Sequence, residues 1–239
     1  MQEKVMSYYE NYDEEGRLYR SNAHMTEYLT SIHFFDKLFP PNSHVLDACA
    51  GAGRYSFYLA DKGYTVTACD LVEHNVSIIK SSPCANKLAE ISVCDVLDMP
   101  NSWKNKFDIV LCMGALYHLQ KYTDRLKAIS ECVRVCKQNG LVVLAYIVDA
   151  GETLGGNPYE DVFFASTFDE IEVMAKGCGL QKVHNISTDG ILKTIGGSTL
   201  NEATDEEFQQ YMEAFYLTCE DPAVIMAGGH VLWIGRRKA

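Results

Sequence analysis

The chain has 239 residues, 47% hydrophobic and 22% charged, with a formal net charge of −11 and nine cysteines. That composition supports a packed core of ordinary domain size and does not suit a disordered chain. The acidic balance weighs against a phosphate-backbone partner, because the only basic run is Arg236-Arg237-Lys238 and no cluster of five Lys/Arg occurs.

The chain opens MQEKVMSYYENYDEE, which does not read as a leader, and no apolar stretch is long enough to cross a bilayer. The cysteines are odd in number, scattered and free of any C-x-x-C pair, the pattern of reduced thiols in a cytoplasmic protein. Residues 1 to about 40 are first acidic and aromatic (Tyr8, Tyr9, Tyr12, Tyr19). They then space Met25, Tyr28, Leu29, Ile32 and Phe35 as one face of an amphipathic helix.

Strand and helix signals alternate from there. VLDAC (45–49) reads as a buried strand that opens into a glycine turn, and RYSFYLADKG as a helix stopping at Gly63. YTVTACD (64–70), AEISVCD (89–95), FDIVLCMG (107–114) and GLVVLAYIV (140–148) are further Val/Ile/Leu-rich runs of the kind buried on both faces of a parallel sheet. TDRLKAISECVRVCKQNG repeats apolar residues at Leu126, Ile129, Val133 and Cys136, and its helix is expected to stop at Asn139-Gly140. The alternation then breaks, with loops at DAGETLGGNPYED and DGILKTIGGSTLN. Thr167 with Glu170, and Thr204 with Glu207, form capping boxes, the second opening a helix over roughly 204–218. HVLWIGRRK (230–238) is the last strand. There are no repeats and no low-complexity tract. The pattern predicts a doubly wound α/β sheet in one domain, with 1–40 as an N-terminal cap, 41–148 as the cofactor-binding core and 149–239 completing the sheet with substrate-side insertions.

In such sheets the ligand sits beyond the carboxyl ends of the strands, at the switch point. Those ends carry Asp47 followed by Cys49, Gly51 and Gly53, then Asp70, then Asp95, then Met113-Gly114. Gly51-x-Gly53 is followed by Ser56, a near miss to the dinucleotide fingerprint. Asp70 would serve the ribose of either cofactor. Asp47 discriminates: a carboxylate at the mouth of the turn opposes a pyrophosphate by about 1 kcal/mol or more, whereas it suits the ammonium and sulfonium of S-adenosylmethionine. Asp95 can accept a hydrogen bond from an adenine amine.

The same residues resemble a family. VLDACAGAGRYSFYLADKGYTVTACD is similar to motif I and the following strand of the class I S-adenosylmethionine-dependent methyltransferases. ISVCDVLDMP resembles their third-strand motif and FDIVLCMGALYHL their fourth, with GALYHL close to a group of bacterial small-molecule methyltransferases that carry a helical N-terminal cap. The resemblance covers roughly residues 40–148 and runs more loosely to the closing strand. It implies a seven-stranded, mainly parallel sheet whose last strand is antiparallel. It also implies that Asp47, Cys49, Gly51 and Gly53 line the methionine end, that Asp70 takes the ribose hydroxyls with Leu71 against the ring, that Asp95 and Val96 frame the adenine, and that Met113 offers its carbonyl to the ammonium. Cys49 departs from the family pattern, which most often has glycine there.

His118, after the fourth strand, is the candidate catalytic base, set against a purely positioning role. Tyr117, His24 and Arg20 are candidate substrate contacts, and His230 could approach the same chamber. Tyr159, Phe163, Phe164, Phe208, Tyr211 and Phe215 in the 149–166 and 189–218 insertions suggest a partly apolar acceptor. Cys49, Cys69, Cys94 and Cys112 all fall near strand ends, but side chains alternate along strands and no metal site is expected of them. The expected activity is methyl transfer to a small molecule. The rivals are a nucleic-acid methyltransferase such as a tRNA enzyme, a non-catalytic cofactor-binding module, and, more distantly, a nicotinamide oxidoreductase. The acceptor atom, pathway and oligomeric state are open at this stage.

Overall fold

The computed structural model describes residues 20–148, 162–190 and 198–238. Its strands are β1 (His44–Asp47), β2 (Thr65–Asp70), β3 (Glu90–Val93), β4 (Phe107–Cys112), β5 (Cys136–Val148), β6 (Ala165–Ser166), β7 (Leu180–Ser187) and β8 (His230–Arg237). They form one sheet in the order β3-β2-β1-β4-β5-β8-β7, with β6 paired to β5. Strands β1 to β5 are mutually parallel, and β8 lies antiparallel between β5 and β7. The expected mainly parallel sheet with an antiparallel last strand is therefore present, and the two-residue β6 makes an eighth strand off the main path.

The helices are α1 (Asn22–Leu38), α2 (Arg54–Asp61), α3 (Glu73–Ser81), α4 (Tyr122–Val135), α5 (Phe168–Gly177), α6 (Ser198–Asn201), α7 (Asp205–Thr218) and α8 (Pro222–Ala227). They cover both faces of the sheet because the central strands are apolar on both. Leu46, Val110, Leu144 and Trp233 belong to one buried cluster with Ala128 and Cys132 of α4 and Ile171 and Met174 of α5. Their neighbours Val45, Ile109, Val143 and Ile234 belong to the other, with Phe35 of α1, Leu59 of α2 and Phe215 of α7. Helix α1 is fastened to the second cluster by aromatic contacts, Phe35 against Tyr55 at 5.7 Å and His33 stacked on Tyr216 at 3.8 Å.

Two sequence expectations need correction. Asn139-Gly140 does not end a helix: α4 stops at Val135, and β5 begins at once with Cys136. Between the pairs Phe107↔Cys136 and Ile109↔Leu141 the strand bulges. Asn139 takes φ 62°, and a Cβ on Gly140 would sit 2.6 Å from the Asp108 carbonyl oxygen. A strand distortion thus looked like a helix stop, since both favour Asn-Gly. Thr167 does cap α5 by accepting the Glu170 N–H (3.1 Å), but Glu170's carboxylate is taken by Arg125 (2.6 Å), so only half of that box exists. The Thr204–Glu207 box is complete. Finally, β7 and α3 were not read from the sequence. Of the insertion aromatics, Tyr159 lies outside the described residues.

Ile109 is fully buried at the centre of the sheet. Ile109→Ala is expected to lower unfolding stability by about 2–5 kcal/mol in urea titrations. A loss below about 1 kcal/mol would show that the sheet centre collapses around the deletion.

Candidate functional site

The order β2-β1-β4 puts the switch point between β1 and β4, and the loops leaving these strands meet above it. The turn after β1 is built by glycines: Gly51 takes φ 53° and Gly53 φ 83°, and Gly53 is the N-cap of α2. A Cβ on Gly53 would also stand 3.0 Å from both Ile79 and Phe57.

Hydrogen bonds tie this turn to its neighbours. The Ala48 N–H donates to the Leu111 carbonyl (2.8 Å) and the Ala50 N–H to the Cys69 carbonyl (3.0 Å). Asp70, at the end of β2, accepts the Gly51 N–H on Oδ2 (2.8 Å), and the Val72 N–H (2.9 Å) and Asn75 amide (3.2 Å) on Oδ1. Its main-chain carbonyl accepts the Cys94 N–H (3.0 Å), which joins the tip of β3. Leu71 follows it, partly exposed. Asn75 is buried, and its Oδ1 has no partner among the described residues. The sequence reading missed Asn75 because its five-residue offset from Asp70 matters only once α3 is known.

After β3, Asp95 accepts the Leu97 N–H (2.9 Å) in a local turn and stays partly exposed, while Val96 is buried in the core. After β4, the Met113 carbonyl accepts the Tyr117 hydroxyl (3.0 Å), which leaves that oxygen a second lone pair. Cys49 and Gly114 are a matched pair: a Cβ on Gly114 would come within 3.0 Å of the Cys49 Cβ. The Cys49 thiol, partly buried, is pushed well above the ordinary thiol range by its contact with Cys112 and by desolvation. Among the described residues no three His, Cys, Asp or Glu side chains cluster as a metal site.

His118 is buried, and its Nδ1 lies 2.8 Å from the Val162 carbonyl oxygen. A carbonyl can only accept, so Nδ1 carries a proton. Burial pulls its pKa down to about 4. The rings of Tyr117 (4.7 Å) and Phe163 (5.0 Å) pack against it. Phe164 turns the other way, under the Arg125 guanidinium at 4.3 Å. Arg20 and His24 are exposed at the start of α1, where Ser21 pairs with His24 (2.9 Å) and Asn22 donates to the Leu200 carbonyl (3.0 Å). One turn further on, Tyr28 packs beneath the Arg54 guanidinium at 4.5 Å.

Residues 46–144 match the family model described as a methyltransferase domain. The chain is similar to a glycine/sarcosine N-methyltransferase of Parasynechococcus marenigrum, 30% identical over 102 residues covering 42% of this chain and 36% of the relative. It is also similar to a tRNA (carboxymethyluridine(34)-5-O)-methyltransferase of Arabidopsis thaliana, 32% identical over 106 residues, 44% of this chain and 24% of the relative. The chain thus spans well under half the length of these relatives. Among solved structures it shares its fold with the Burkholderia thailandensis 1,6-didemethyltoxoflavin-N1-methyltransferase bound to 1,6-didemethyltoxoflavin and S-adenosylhomocysteine. That likeness has TM-score 0.63 at 16% identity and covers all of this chain and 87% of the other.

Asp47 is almost wholly buried (1% exposed) and accepts the Ser56 hydroxyl at 2.7 Å. Burial pushes its pKa up to about 7. A raised carboxyl pKa means that the folded chain binds more protons than the unfolded one between about pH 4 and 7, so stability falls as pH rises through that window. Asp47→Asn keeps an acceptor for Ser56 and cannot ionise. Its stability relative to the wild type is expected to rise by about 1.4 kcal/mol per pH unit from pH 4 to 7 and then level off. Urea unfolding at pH 4.5, 6.0 and 7.5 measures this, and a pH-independent difference would mean that Asp47 ionises freely.

Proposed function

We propose that this chain, whose residues 46–144 match a methyltransferase-domain family model, is a class I S-adenosylmethionine-dependent methyltransferase that transfers the cofactor's methyl group to a small-molecule acceptor. The cofactor supplies an already activated methyl on a sulfonium. The protein's part is to bind it, exclude water and align the acceptor.

The observation that carries the reading is the wiring of Asp70. One carboxylate holds the glycine turn by the Gly51 N–H and is itself held by Asn75, whose buried Oδ1 awaits a donor. A ribose diol supplies such donors, so the residues fit the group. In this reading Asp70 takes the ribose hydroxyls, and Leu71 lies against the ring. Asp95 and Val96 frame the adenine. Asp47, Cys49, Gly51 and Gly53 line the methionine end, and the free lone pair on the Met113 carbonyl receives the ammonium. His118, neutral and with Nδ1 committed to Val162, serves with Tyr117 as the wall of the acceptor chamber, and Arg20 and His24 stand at its rim.

A small acceptor is supported by the charge of −11, which opposes a polyanion, and by the aromatic wall of Tyr117, His118 and Phe163. The Arabidopsis relative acts, by its name, on tRNA. Methylation of bulk tRNA by this chain would overturn the small-molecule assignment.

Calorimetric titration is expected to show micromolar binding of S-adenosylmethionine and S-adenosylhomocysteine and none of NADH. Asp70→Ala should weaken the sulfur cofactors at least tenfold. Binding of NADH alone, or full affinity in the variant, would remove the proposed cofactor site.

A further inference from the structure

A second histidine reaches the sheet's carboxyl edge in a setting opposite to that of His118. His230 begins β8 and pairs across from Ile147 near the end of β5, so it lies at the edge where the parallel strands terminate. β7 ends at Ser187, paired with Val231 of β8, and this carries Asp189 to the same edge. Helix α1 adds Glu27. Nδ1 of His230 is 3.4 Å from Asp189 Oδ2 and 3.9 Å from Glu27 Oε2, and its ring meets Tyr117 edge-on at 6.3 Å. Among the described residues, Asp189, Glu27 and Tyr117 are the titratable groups that face the imidazole.

The arrangement is built by the backbone. Asp189 accepts the N–H groups of Gly229 (2.9 and 3.1 Å) and His230 (3.0 Å), and Thr188 sends both its N–H (2.9 Å) and its hydroxyl (3.1 Å) to the His230 carbonyl. Gly190, at φ 61°, leaves room that a Cβ would deny, since that atom would lie 3.1 Å from the Tyr211 hydroxyl. The Tyr211 hydroxyl is buried and has no partner among the described residues. The His230 side chain keeps 38% of its surface, whereas the carboxylates beside it keep 18% and 14%.

We propose that His230, oriented by Asp189 with Glu27 alongside, takes the proton from an amine acceptor, so that this site methylates a nitrogen that arrives as an ammonium. The inference rests on the methyltransferase reading and adds to it the substrate class and the proton route. Two shielded carboxylates within 4 Å of one nitrogen favour positive charge there, whether substrate ammonium or imidazolium. Removing a proton from an alcohol would instead create an anion against those carboxylates. Removing one from an ammonium leaves a neutral amine. The Tyr117 ring beside His230 adds aromatic surface of the kind that attracts a cation. His118, buried, neutral and bonded through Nδ1 to Val162, is the poorer base.

The step balances as follows. The ammonium N–H proton passes to the imidazole, which becomes imidazolium, and the nitrogen regains its lone pair. That pair forms the N–CH3 bond as the methyl–sulfur bond breaks, its electrons remaining on sulfur. The product leaves as a methylated ammonium, and the imidazolium returns its proton to water.

The test assays the full chain against a size-graded panel of amines and shape-matched alcohols, with S-adenosylhomocysteine affinity and circular dichroism measured first on wild type, His230→Asn and Asp189→Asn. Turnover is expected only with amines. His230→Asn should bind S-adenosylhomocysteine within twofold of wild type yet lose about 10²–10⁴-fold in kcat/KM, along with the acidic limb of the pH profile. Asp189→Asn should move the midpoint of that limb to lower pH, which a purely structural role would not do. The proposal is overturned by preferred methylation of an alcohol, by His230→Asn turning over amines within threefold of wild type with the limb intact, or by no amine turnover while S-adenosylhomocysteine binds. Failure of S-adenosylhomocysteine to bind wild type strikes the methyltransferase reading itself, and the inference falls with it.

Discussion

The Asp70 carboxylate is the contact on which the site's shape depends. A βα turn with two residues at positive φ exposes several backbone N–H groups; the Gly53 N–H is held inside the turn by the Ala50 carbonyl (2.8 Å), but the Gly51 N–H is held from outside it. Asp70 reaches across from β2 and holds the Gly51 N–H, while its second oxygen holds Val72 and Asn75 at the start of α3. One side chain therefore sets the relative position of the β1 turn and the β2–α3 turn. Its desolvation opposes ionisation, and the two N–H donors and the amide favour it. Burial dominates and raises its pKa above the ordinary carboxylate range; a carboxyl group with this many partners is rigid, and a binding edge that must present a preorganised surface needs that rigidity.

Cys49 illustrates how a departure from a family pattern can be compensated elsewhere. A side chain at this point of the turn requires space that the common glycine would leave empty. Here the space comes from Gly114 on the next strand's loop, whose missing Cβ would have met that of Cys49 at 3.0 Å. The pair spans two motifs sixty-odd residues apart in sequence. It is a contact between β1 and β4, so neither residue can be judged alone, and the glycine of GALYHL is explained by packing before any ligand is invoked.

What was legible in the sequence follows from how local each signal is. Strands β1, β2, β4 and β8 announce themselves because burial on both faces demands continuous apolar runs. The 204–218 helix does so because a capping box is closed within four residues. The start of β5 was misread because Lys137-Gln138-Asn139-Gly140 is polar and its strand character comes from pairing with β4 around a bulge. LQKVHNIS of β7 alternates poorly, since its edge position exposes part of it, and only its antiparallel partner β8 makes it a strand. At the site, the acids ending β1 to β3 were legible as a pattern. Asn75, Asp189 and Glu27 were not, because each matters through a partner fixed only by tertiary packing.

The same distinction separates the two histidines. His118 stands inside a recognisable motif and so draws attention, but the fold spends its Nδ1 proton on a backbone carbonyl and buries the ring among Tyr117 and Phe163. A base in that position would have to hold a charge in a buried, desolvated setting, and its depressed pKa reflects that cost. His230 has no motif around it, yet the antiparallel insertion of β8 between β5 and β7 delivers it to the sheet edge with a backbone-anchored carboxylate 3.4 Å away. Sheet topology thus produces what the motif only suggests: an imidazole that can accept a proton because its charge has somewhere to rest. On the proposed reading, shape recognition falls to the aromatic rings around His118, and proton chemistry to His230 and its two carboxylates where the sheet reverses direction.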